Sequence, residues 1–158
     1  MRKVALITDG WRRLFTYAWP AGILQRIRET GEDVNLYIFN STGNWSRDAG
    51  YNRAEYNIYN LPELSDFDGI ILELNNISSP AVLADVISNA KRSGRPVVSI
   101  ANELGDFYYV GIDNYSAMKQ VIAHLHEVHD CKKFWLLVGA QDNYESSCRL
   151  QGMLDYAK

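Results

Sequence analysis

Small polar side chains follow several apolar runs of this sequence, at the points where strands are expected to end. They are the carboxylates and amides of Asp9, Asn40, Glu73, Asn75 and Asn102. Side chains of this kind hold neutral polyols, because amide and carboxylate oxygens accept hydrogen bonds from paired hydroxyls. Asp and Asn also form turns and helix caps, so each residue taken alone has a structural explanation as well. Taken together, these residues predict a binding site for a small polar ligand.

An aromatic segment and one arginine add to this expected site. Between residues 9 and 19, Phe15 and Tyr17 offer flat rings that can cover the apolar face of a ligand. Arg149 is expected in the first turns of a helix, where its guanidinium can present two donors to vicinal hydroxyls or to a carboxylate. A surface or ion-pair role for Arg149 is the alternative. Arg12 and Arg13, in the aromatic segment, either favour an anionic ligand or face solvent.

Sequence signatures of catalysis are not found. The chain contains no G-x-G-x-x-G after its first strand, no G-x-x-x-x-G-K-S/T and no G-x-S-x-G. A phospho-acceptor receiver domain is disfavoured because Asp9 has no acidic neighbour and the third strand ends on Glu73. His124, His126 and His129 crowd one helix end, where histidines often complement the helix dipole. We therefore expect no catalytic residue, no cofactor and no bound metal.

The composition is that of an ordinary globular domain. The 158 residues suit one domain, and 47% of them are hydrophobic. A net charge of −3 disfavours a nucleic-acid-binding surface in this segment, because such surfaces normally carry a basic face. The 2 cysteines are too few for a disulfide framework and lack the paired spacing of a zinc site. The first apolar stretch is too short for a signal peptide and no run is long enough to span a membrane, so we expect a cytoplasmic location.

Short apolar runs alternate with helical patterns along the whole chain. Strands are predicted at Val4–Thr8, Val34–Phe39, Ile70–Leu72, Pro96–Ala101, Tyr108–Ile112 and Phe134–Val138. Pro20 is expected in the first turn of the first helix, and Ser79 with Pro80 should cap and open the third. The alternation predicts an α/β fold, a doubly wound and mainly parallel sheet with helices on both faces. Ligands bind beyond the carboxyl ends of such strands, where the polar residues lie.

Several short motifs occur in the order and spacing found in one family of ligand-binding domains. They are Phe67–Leu72 (FDGIIL), Gly94–Val98 (GRPVV), Val110–Asn114 (VGIDN), His124-Leu125 and Arg149–Gly152 (RLQG). Through them the sequence resembles, over nearly its whole length, the sugar-sensing domains of the LacI/GalR repressors and their periplasmic binding-protein relatives. It departs from the family at Val128–Lys133, where Gly-His-Arg or Gly-His-Lys is usual.

The resemblance implies a function and roles for particular residues. The chain would be the effector-sensing domain of a LacI/GalR-type transcriptional regulator, with a periplasmic-binding-protein-like I, flavodoxin-like lobe. A sugar or another small polar metabolite would drive closure of two lobes. Arg149 matches the family arginine that binds ligand oxygens, whereas Asp113 would orient the cleft and Asn114 would cap a helix. The alternative is the amino-terminal sensor of a signalling enzyme such as a diguanylate cyclase, or of an AraC-type regulator with a C-terminal output domain.

The resemblance also implies a division of the chain and a set of partners. Residues 1–139 would form the amino-terminal lobe, and residues 140–158 the crossover and first helix of a second lobe that lies outside this sequence. A homodimer is expected, with contacts through Tyr51, Tyr56 and Tyr59 as exposed aromatic residues. DNA would be contacted only through an output domain outside this sequence, and no contact with a membrane is expected.

Overall fold

The computed structural model contains a five-stranded parallel sheet with the strand order β2-β1-β3-β4-β5. It describes residues 1–10, 14–42, 46–77, 79–139 and 143–157, and for residues 14–16 the backbone alone. The strands are β1 (Arg2–Asp9), β2 (Val34–Ser41), β3 (Gly69–Glu73), β4 (Val97–Ile100) and β5 (Tyr108–Val110). The predicted α/β fold with a parallel sheet is confirmed.

Five α-helices connect and follow these strands in the described part of the chain. They are α1 (Leu14–Thr30), α2 (Ala49–Glu55), α3 (Pro80–Arg92), α4 (Asn114–Glu127) and α5 (Tyr144–Tyr156). Two short 3-10 segments, Tyr56–Asn60 and Leu64–Asp66, lie between α2 and β3. None of the helices in the described ranges has the length and apolar character needed to cross a membrane.

The middle strand β1 shows why the sheet forms where it does. Ala5, Leu6 and Ile7 are at most 1% exposed, because β1 pairs with a strand on each side and is covered on both faces. A strand in this position needs a continuous apolar run rather than an alternating one. Burying a Leu or Ile side chain fully contributes about 1.5–3 kcal/mol, so Leu6 and Ile7 together stabilise the folded chain by several kcal/mol.

The hydrophobic core cluster of the described residues joins one face of the sheet to α3 and to the 3-10 segments. It includes Ile7 of β1, Val86 of α3, and Tyr56 and Tyr59 of the first 3-10 segment. Tyr56 and Tyr59 are 7% and 3% exposed, so the prediction that they lie on an exposed dimer surface is wrong. The 3-10 segment packs both rings under the sheet, whereas Tyr51 on α2 is exposed.

The predicted start of α3 is correct, whereas the predicted start of α1 is wrong. Helix α3 begins as expected: the Ser79 hydroxyl accepts from the N–H of Val82 at 3.5 Å, and Pro80 occupies the first turn. Helix α1 begins at Leu14 instead of Pro20. Pro20 therefore lies inside α1, where it offers no N–H to the carbonyl four residues earlier. The second part of the expected aromatic loop is thus helical.

The apolar run Phe134–Val138 is not a strand, which contradicts the prediction. This run pairs with no strand among the residues that the structure describes, and a strand forms only where a neighbour pairs with its N–H and C=O groups. Trp135 and Leu137 are fully exposed, whereas Phe134 and Leu136 are 38% and 39% exposed. The alternation arises because one side of the run lines a pocket formed with α4 and α5.

Candidate functional site

The carboxyl ends of β1, β2 and β3 bring three of the predicted ligand residues to one edge of the sheet. Thr8 of β1 is in register with Asn40 of β2 on one side and with Glu73 of β3 on the other. Asp9 follows Thr8 and is in register with Ser41. The parallel order of the strands therefore produces the concentration of polar groups that the sequence predicts.

Glu73 and Thr8 lie on the same face of this edge. The Oγ1 atom of Thr8 donates a hydrogen bond to Oε2 of Glu73 at 2.8 Å. Glu73 is only 3% exposed, and a buried carboxylate needs donors that offset its lost hydration. The Thr8 hydroxyl is one such donor, so this pair ties the ends of β1 and β3 together.

Asp9 lies beside the buried hydroxyl of Tyr59 and is 1% exposed. The Tyr59 hydroxyl donates to the carbonyl oxygen of Thr8 at 2.9 Å, and Nδ2 of Asn76 donates to the carbonyl oxygen of Asp9 at 3.0 Å. Burial, and after it the negative charge of Asp9, raise the pKa of Tyr59 far above its ordinary value. Tyr59 therefore stays a neutral hydroxyl that donates a hydrogen bond at the strand end.

A pocket of about 210 Å³ opens beside this edge, between α1 and β2. It is lined by Thr8, Tyr17, Pro20, Ala21, Leu24, Ile38 and Asn40. The Oδ1 atom of Asn40 is buried, and none of the described residues donates a hydrogen bond to it. A buried acceptor left without a donor costs about 1–3 kcal/mol, and a donor supplied by a ligand would offset that cost.

The aromatic segment contributes to this pocket through Tyr17. Tyr17 is 68% exposed and lies in the first turns of α1, so its ring borders the pocket without being part of the core. The pocket thus brings together Tyr17 and Asn40, two of the predicted ligand residues. The side chain of Phe15, and residues 11–13 altogether, lie outside the described residues.

Asn75 and Asn102 are half-buried and follow β3 and β4, which are neighbours in the sheet. The chain turns sharply after β4, because Ala101 adopts a positive φ of 61° and Oγ of Ser99 donates to the carbonyl oxygen of Asn102 at 2.6 Å. The structure therefore places both asparagines at the predicted edge. Neither one lines the pocket beside Asn40.

Arg149 lies on α5 and is hydrogen-bonded to α4. Its Nη1 atom donates to Oδ1 of Asn114 at 2.8 Å, and Nδ2 of Asn114 donates to Oε1 of Glu145 at 3.3 Å. The cap of α4 is Asp113, whose carboxylate accepts from the N–H of Ser116 at 2.9 Å. The prediction that Asn114 caps this helix is therefore wrong. Asn114 is the first helical residue, is 8% exposed and links the two helices.

The amino end of α5 reaches the loop that follows β4. The Tyr144 hydroxyl donates to Oε2 of Glu103 at 2.8 Å, and the Tyr144 ring meets the ring of Tyr109 edge to face at 6.2 Å between centroids. The hydrogen bond with Glu103 raises the pKa of Tyr144. Arg149 lies about one and a half helical turns after Tyr144 on α5. Arg149 is therefore part of the helix that contacts the loop after β4.

Comparison with known proteins identifies the fold. No protein-family model matches the sequence, and neither does any curated protein. The chain is similar to a periplasmic binding protein/LacI transcriptional regulator from Alkaliphilus metalliredigens complexed with D-xylulofuranose, at 19% identity and a TM-score of 0.66, over 99% of this chain and 52% of that one. It is similar to an ABC transporter periplasmic solute binding protein from Actinobacillus succinogenes with bound D-allose (16% identity, TM-score 0.71, 99% and 55% covered). It is also similar to the transcription regulator CcpA of Lactococcus lactis (19% identity, TM-score 0.68, 99% and 53% covered).

The fold is of the type I periplasmic-binding-protein-like kind. The chain spans about half the length of the solved structures that it matches. At these identities the likeness concerns the fold, so ligand and role are argued from the residues themselves. In this periplasmic-binding-protein-like fold the polar groups of β1, β2 and β3 lie at the carboxyl edge of the sheet, where open parallel sheets bind ligands.

Two residues of this edge were missed by reasoning from the sequence. The strand prediction includes Thr8 only as the end of an apolar run, although Thr8 is the polar residue of that run and its hydroxyl donates to Glu73. Tyr59, predicted as an exposed residue, is buried instead, and its hydroxyl donates to the end of β1, 51 residues away in the chain. The polar character of Thr8 was a visible signal. The contact of Tyr59 depends on how the 3-10 segment folds back, and the sequence alone offers no signal for it.

Proposed function

We propose that this chain forms one wall of an effector-binding cleft in the sensing domain of a LacI/GalR-type regulator, and that the effector is a sugar or another small polar metabolite. The observation that carries the proposal is the pocket lined by both Tyr17 and Asn40, the second of which has a buried Oδ1 atom that accepts no hydrogen bond from the described residues. A sugar has hydroxyls that donate to such an acceptor and an apolar ring face that packs on an aromatic ring. The neighbours complexed with D-xylulofuranose and D-allose support a sugar as the ligand.

The size of the pocket is consistent with one wall of a larger site. Complete ligand pockets enclose about 300–1,000 Å³, whereas this one measures about 210 Å³ and is open to solvent. Asp9, Glu73, Asn75 and Asn102 extend the polar edge beyond the pocket. In the proposed site these four residues either stabilise the conformation of the strand ends or contact the ligand directly.

Closure of a second lobe over this edge is the proposed mechanism. A ligand that contacts both lobes favours the closed state by its difference in affinity for the two states. Arg149, on the helix that contacts the loop after β4, then approaches the ligand from the other side of the cleft. Its bond to Asn114 holds the guanidinium in place until that happens.

The division into residues 1–139 and residues 140–158 stays a prediction. Helices α4 and α5 pack together across it, and a Cβ atom on Gly152 of α5 would clash with the carbonyl oxygen of Tyr115 in α4. A division placed before α4 keeps this pair of helices whole. We therefore favour a second lobe that begins near Asp113, where α4 is capped.

The remaining parts of the proposal concern partners and location. The regulator acts as a homodimer, with Tyr51 as the remaining exposed candidate of the three predicted tyrosines. It contacts DNA through an output domain outside this sequence, and it works in the cytoplasm without contacting a membrane. The net charge of −3 fits a sensing segment that leaves DNA contact to another domain.

Binding by this wall is testable on the chain itself with weak-binding methods. Amide chemical shifts are followed in a ¹⁵N-labelled sample during titration with D-allose, D-ribose and D-xylose at millimolar concentrations. We expect shifts at Asn40 and Tyr17 with at least one of these sugars, because both residues line the pocket. Asn40→Ala removes one hydrogen bond and weakens binding by about threefold to tenfold, which corresponds to ~0.5–1.5 kcal/mol.

Asn35→Ala is the matched control for Asn40→Ala. Asn35 lies on the same strand β2, is exposed, and lies at the opposite end from the pocket. It should leave the affinity unchanged. If none of the sugars shifts Asn40 or Tyr17 while the spectrum shows a folded chain, the pocket is not a sugar-binding wall. Equal losses in both asparagine variants would also contradict the proposal.

A further inference from the structure

His124 and His129 place two imidazole nitrogens side by side at the carboxyl end of α4. Their Nε2 atoms are 3.1 Å apart, and the two rings meet edge to face with centroids 4.9 Å apart. Both side chains are exposed to solvent. The third histidine of this segment, His126, is directed elsewhere: its Nδ1 atom is 3.0 Å from the hydroxyl of Tyr156 on α5. The pair is therefore a separate feature from the contact between the helices.

The backbone after α4 holds the two rings in this arrangement. The N–H of Val128 still donates to the carbonyl oxygen of His124 at 2.9 Å, so the helix is regular up to that point. Asp130 then adopts a positive φ of 53°, which reverses the chain. The N–H of Cys131 closes the reversal by donating to the carbonyl oxygen of Leu125 at 3.1 Å. His129, inside this reversal, is thereby fixed against the last turn of the helix.

The separation of the two nitrogens matches that of two imidazoles on one metal ion. Zinc binds imidazole nitrogen at about 2.0–2.1 Å, so two such nitrogens lie about 2.9 Å apart at a right angle and about 3.4 Å apart at a tetrahedral angle. The value of 3.1 Å between His124 and His129 falls inside this range. Imidazole is a ligand that suits Zn²⁺, Ni²⁺ and Cu²⁺.

We propose that His124 and His129 form a two-histidine chelate site for a divalent transition metal of the Zn²⁺, Ni²⁺ and Cu²⁺ group. Neutral imidazole is the ligand, so the metal takes the place of the proton that otherwise lies between the two Nε2 atoms. No third His, Cys, Asp or Glu of the described residues joins them in one group, so water completes the coordination. The bound metal links the end of α4 to the turn that leads into the exposed run Phe134–Val138.

The site is tested on the whole chain, freed of any histidine tag and treated with a chelator, by calorimetric titration with NiCl₂ and with ZnCl₂. We expect one ion to bind per chain, and His124→Ala or His129→Ala to weaken binding. Each variant turns a chelate into contact with a single donor, so the loss is about a hundredfold, as for other linked pairs of contacts. His126→Ala is the matched control and retains the affinity, because His126 lies on the same helix and faces Tyr156.

A second readout locates the ion independently of affinity. Paramagnetic Cu²⁺ added in small amounts should broaden the ring signals of His124 and His129 before those of His126. The proposal is overturned if the native chain binds no ion at millimolar metal. It is equally overturned if the double variant His124→Ala with His129→Ala binds as tightly as the native chain. Circular dichroism of each variant shows whether it keeps the native helix content, as expected for exposed side chains.

Discussion

The first two-thirds of the molecule and its last third differ in how they bury apolar surface. In the described part of the chain, Ile122 is the one core apolar side chain beyond residue 107. Large apolar side chains that are exposed are concentrated in that same last third, with Trp135 and Leu137 fully exposed. The first two-thirds therefore contains most of the buried core, whereas α4, the run Phe134–Val138 and α5 form an open layer. Surface of this kind generally marks an interaction site.

Two mainly apolar runs of equal length show what causes the difference. Val4–Thr8 lies in β1 and is hydrogen-bonded by a parallel strand on each side. Phe134–Val138 has the same length and is apolar throughout, but it pairs with no strand within the described residues and is not a strand. An apolar run therefore becomes a strand only where partners for its backbone are available. The second lobe that we propose supplies such partners.

A pair of leucine truncations tests this comparison with the largest expected effect. Leu72 in β3 is 0% exposed, so Leu72→Ala leaves a cavity and should lower the free energy of unfolding by about 2–5 kcal/mol. Leu137 is fully exposed, so Leu137→Ala should change that free energy by no more than about 0.5 kcal/mol. Urea denaturation followed by circular dichroism measures both values. A cost at Leu137 as large as at Leu72 would mean that something covers Leu137 in solution.

The fold of the first region was largely predictable from the sequence. Strand β1 is a continuous apolar run, and Ser79 as the cap with Pro80 in the first turn predicts the start of α3. The start of α1 was not predictable in this way, because Pro20 also suits a first turn. In the structure the helix extends back to Leu14 and accommodates the proline in its interior.

The candidate site was predictable only in part. The positions of Asp9, Asn40 and Glu73 follow from the parallel order, because the ends of adjacent parallel strands share one edge. The partner of Arg149 did not follow, since Asn114 is 35 residues away and meets it only through the packing of α4 on α5. Asp113 and Asn114 are both good cap residues one position apart, and helix boundaries are uncertain by about that much.

Alanine substitutions at a glycine in the open layer and at one in α1 test whether α4 and α5 pack closely against each other in the free chain. A Cβ atom on Gly152 would clash with the carbonyl oxygen of Tyr115, a backbone atom that has little freedom to move. Gly152→Ala should therefore force α4 and α5 apart and cost about 1–3 kcal/mol, as other overpacking changes do. Hydrogen exchange of α4 and α5 amides measures the loss.

Gly22→Ala is the control for this change. Gly22 is exposed in α1 and has no atom within 4 Å of an added Cβ, so alanine should stabilise the helix by about 0.5–1 kcal/mol. If Gly152→Ala is as well tolerated as Gly22→Ala, α4 and α5 do not pack closely in solution. The description of α4, the run Phe134–Val138 and α5 as a closely packed but exposed layer would then be wrong.

The smallest effect comes from two carboxylates that cap helical turns, one in each region. The pKa of Glu63 is lowered from 4.5 by hydrogen bonds from Ser65, and the pKa of Asp113 is lowered from 3.8 by hydrogen bonds from Ser116. A carboxyl group with a lowered pKa stabilises the folded state fully above its unfolded pKa, and this contribution is lost as the pH falls through the lower, folded value. Amide shifts of Ser65 and Ser116 between pH 6 and pH 2 follow the two groups separately.

If the open layer is folded in the free chain, the amide shifts of Ser65 and Ser116 should both change with midpoints below the ordinary carboxyl pKa values. Asp113→Asn should abolish the pH-dependent change at Ser116 while keeping the cap. If α4 is unfolded in solution, the midpoint at Ser116 returns to about 3.8, the ordinary value for Asp, while that at Ser65 stays lowered. The pair of titrations therefore distinguishes an α4–α5 layer that is already folded in the free chain from one that folds only when a partner binds.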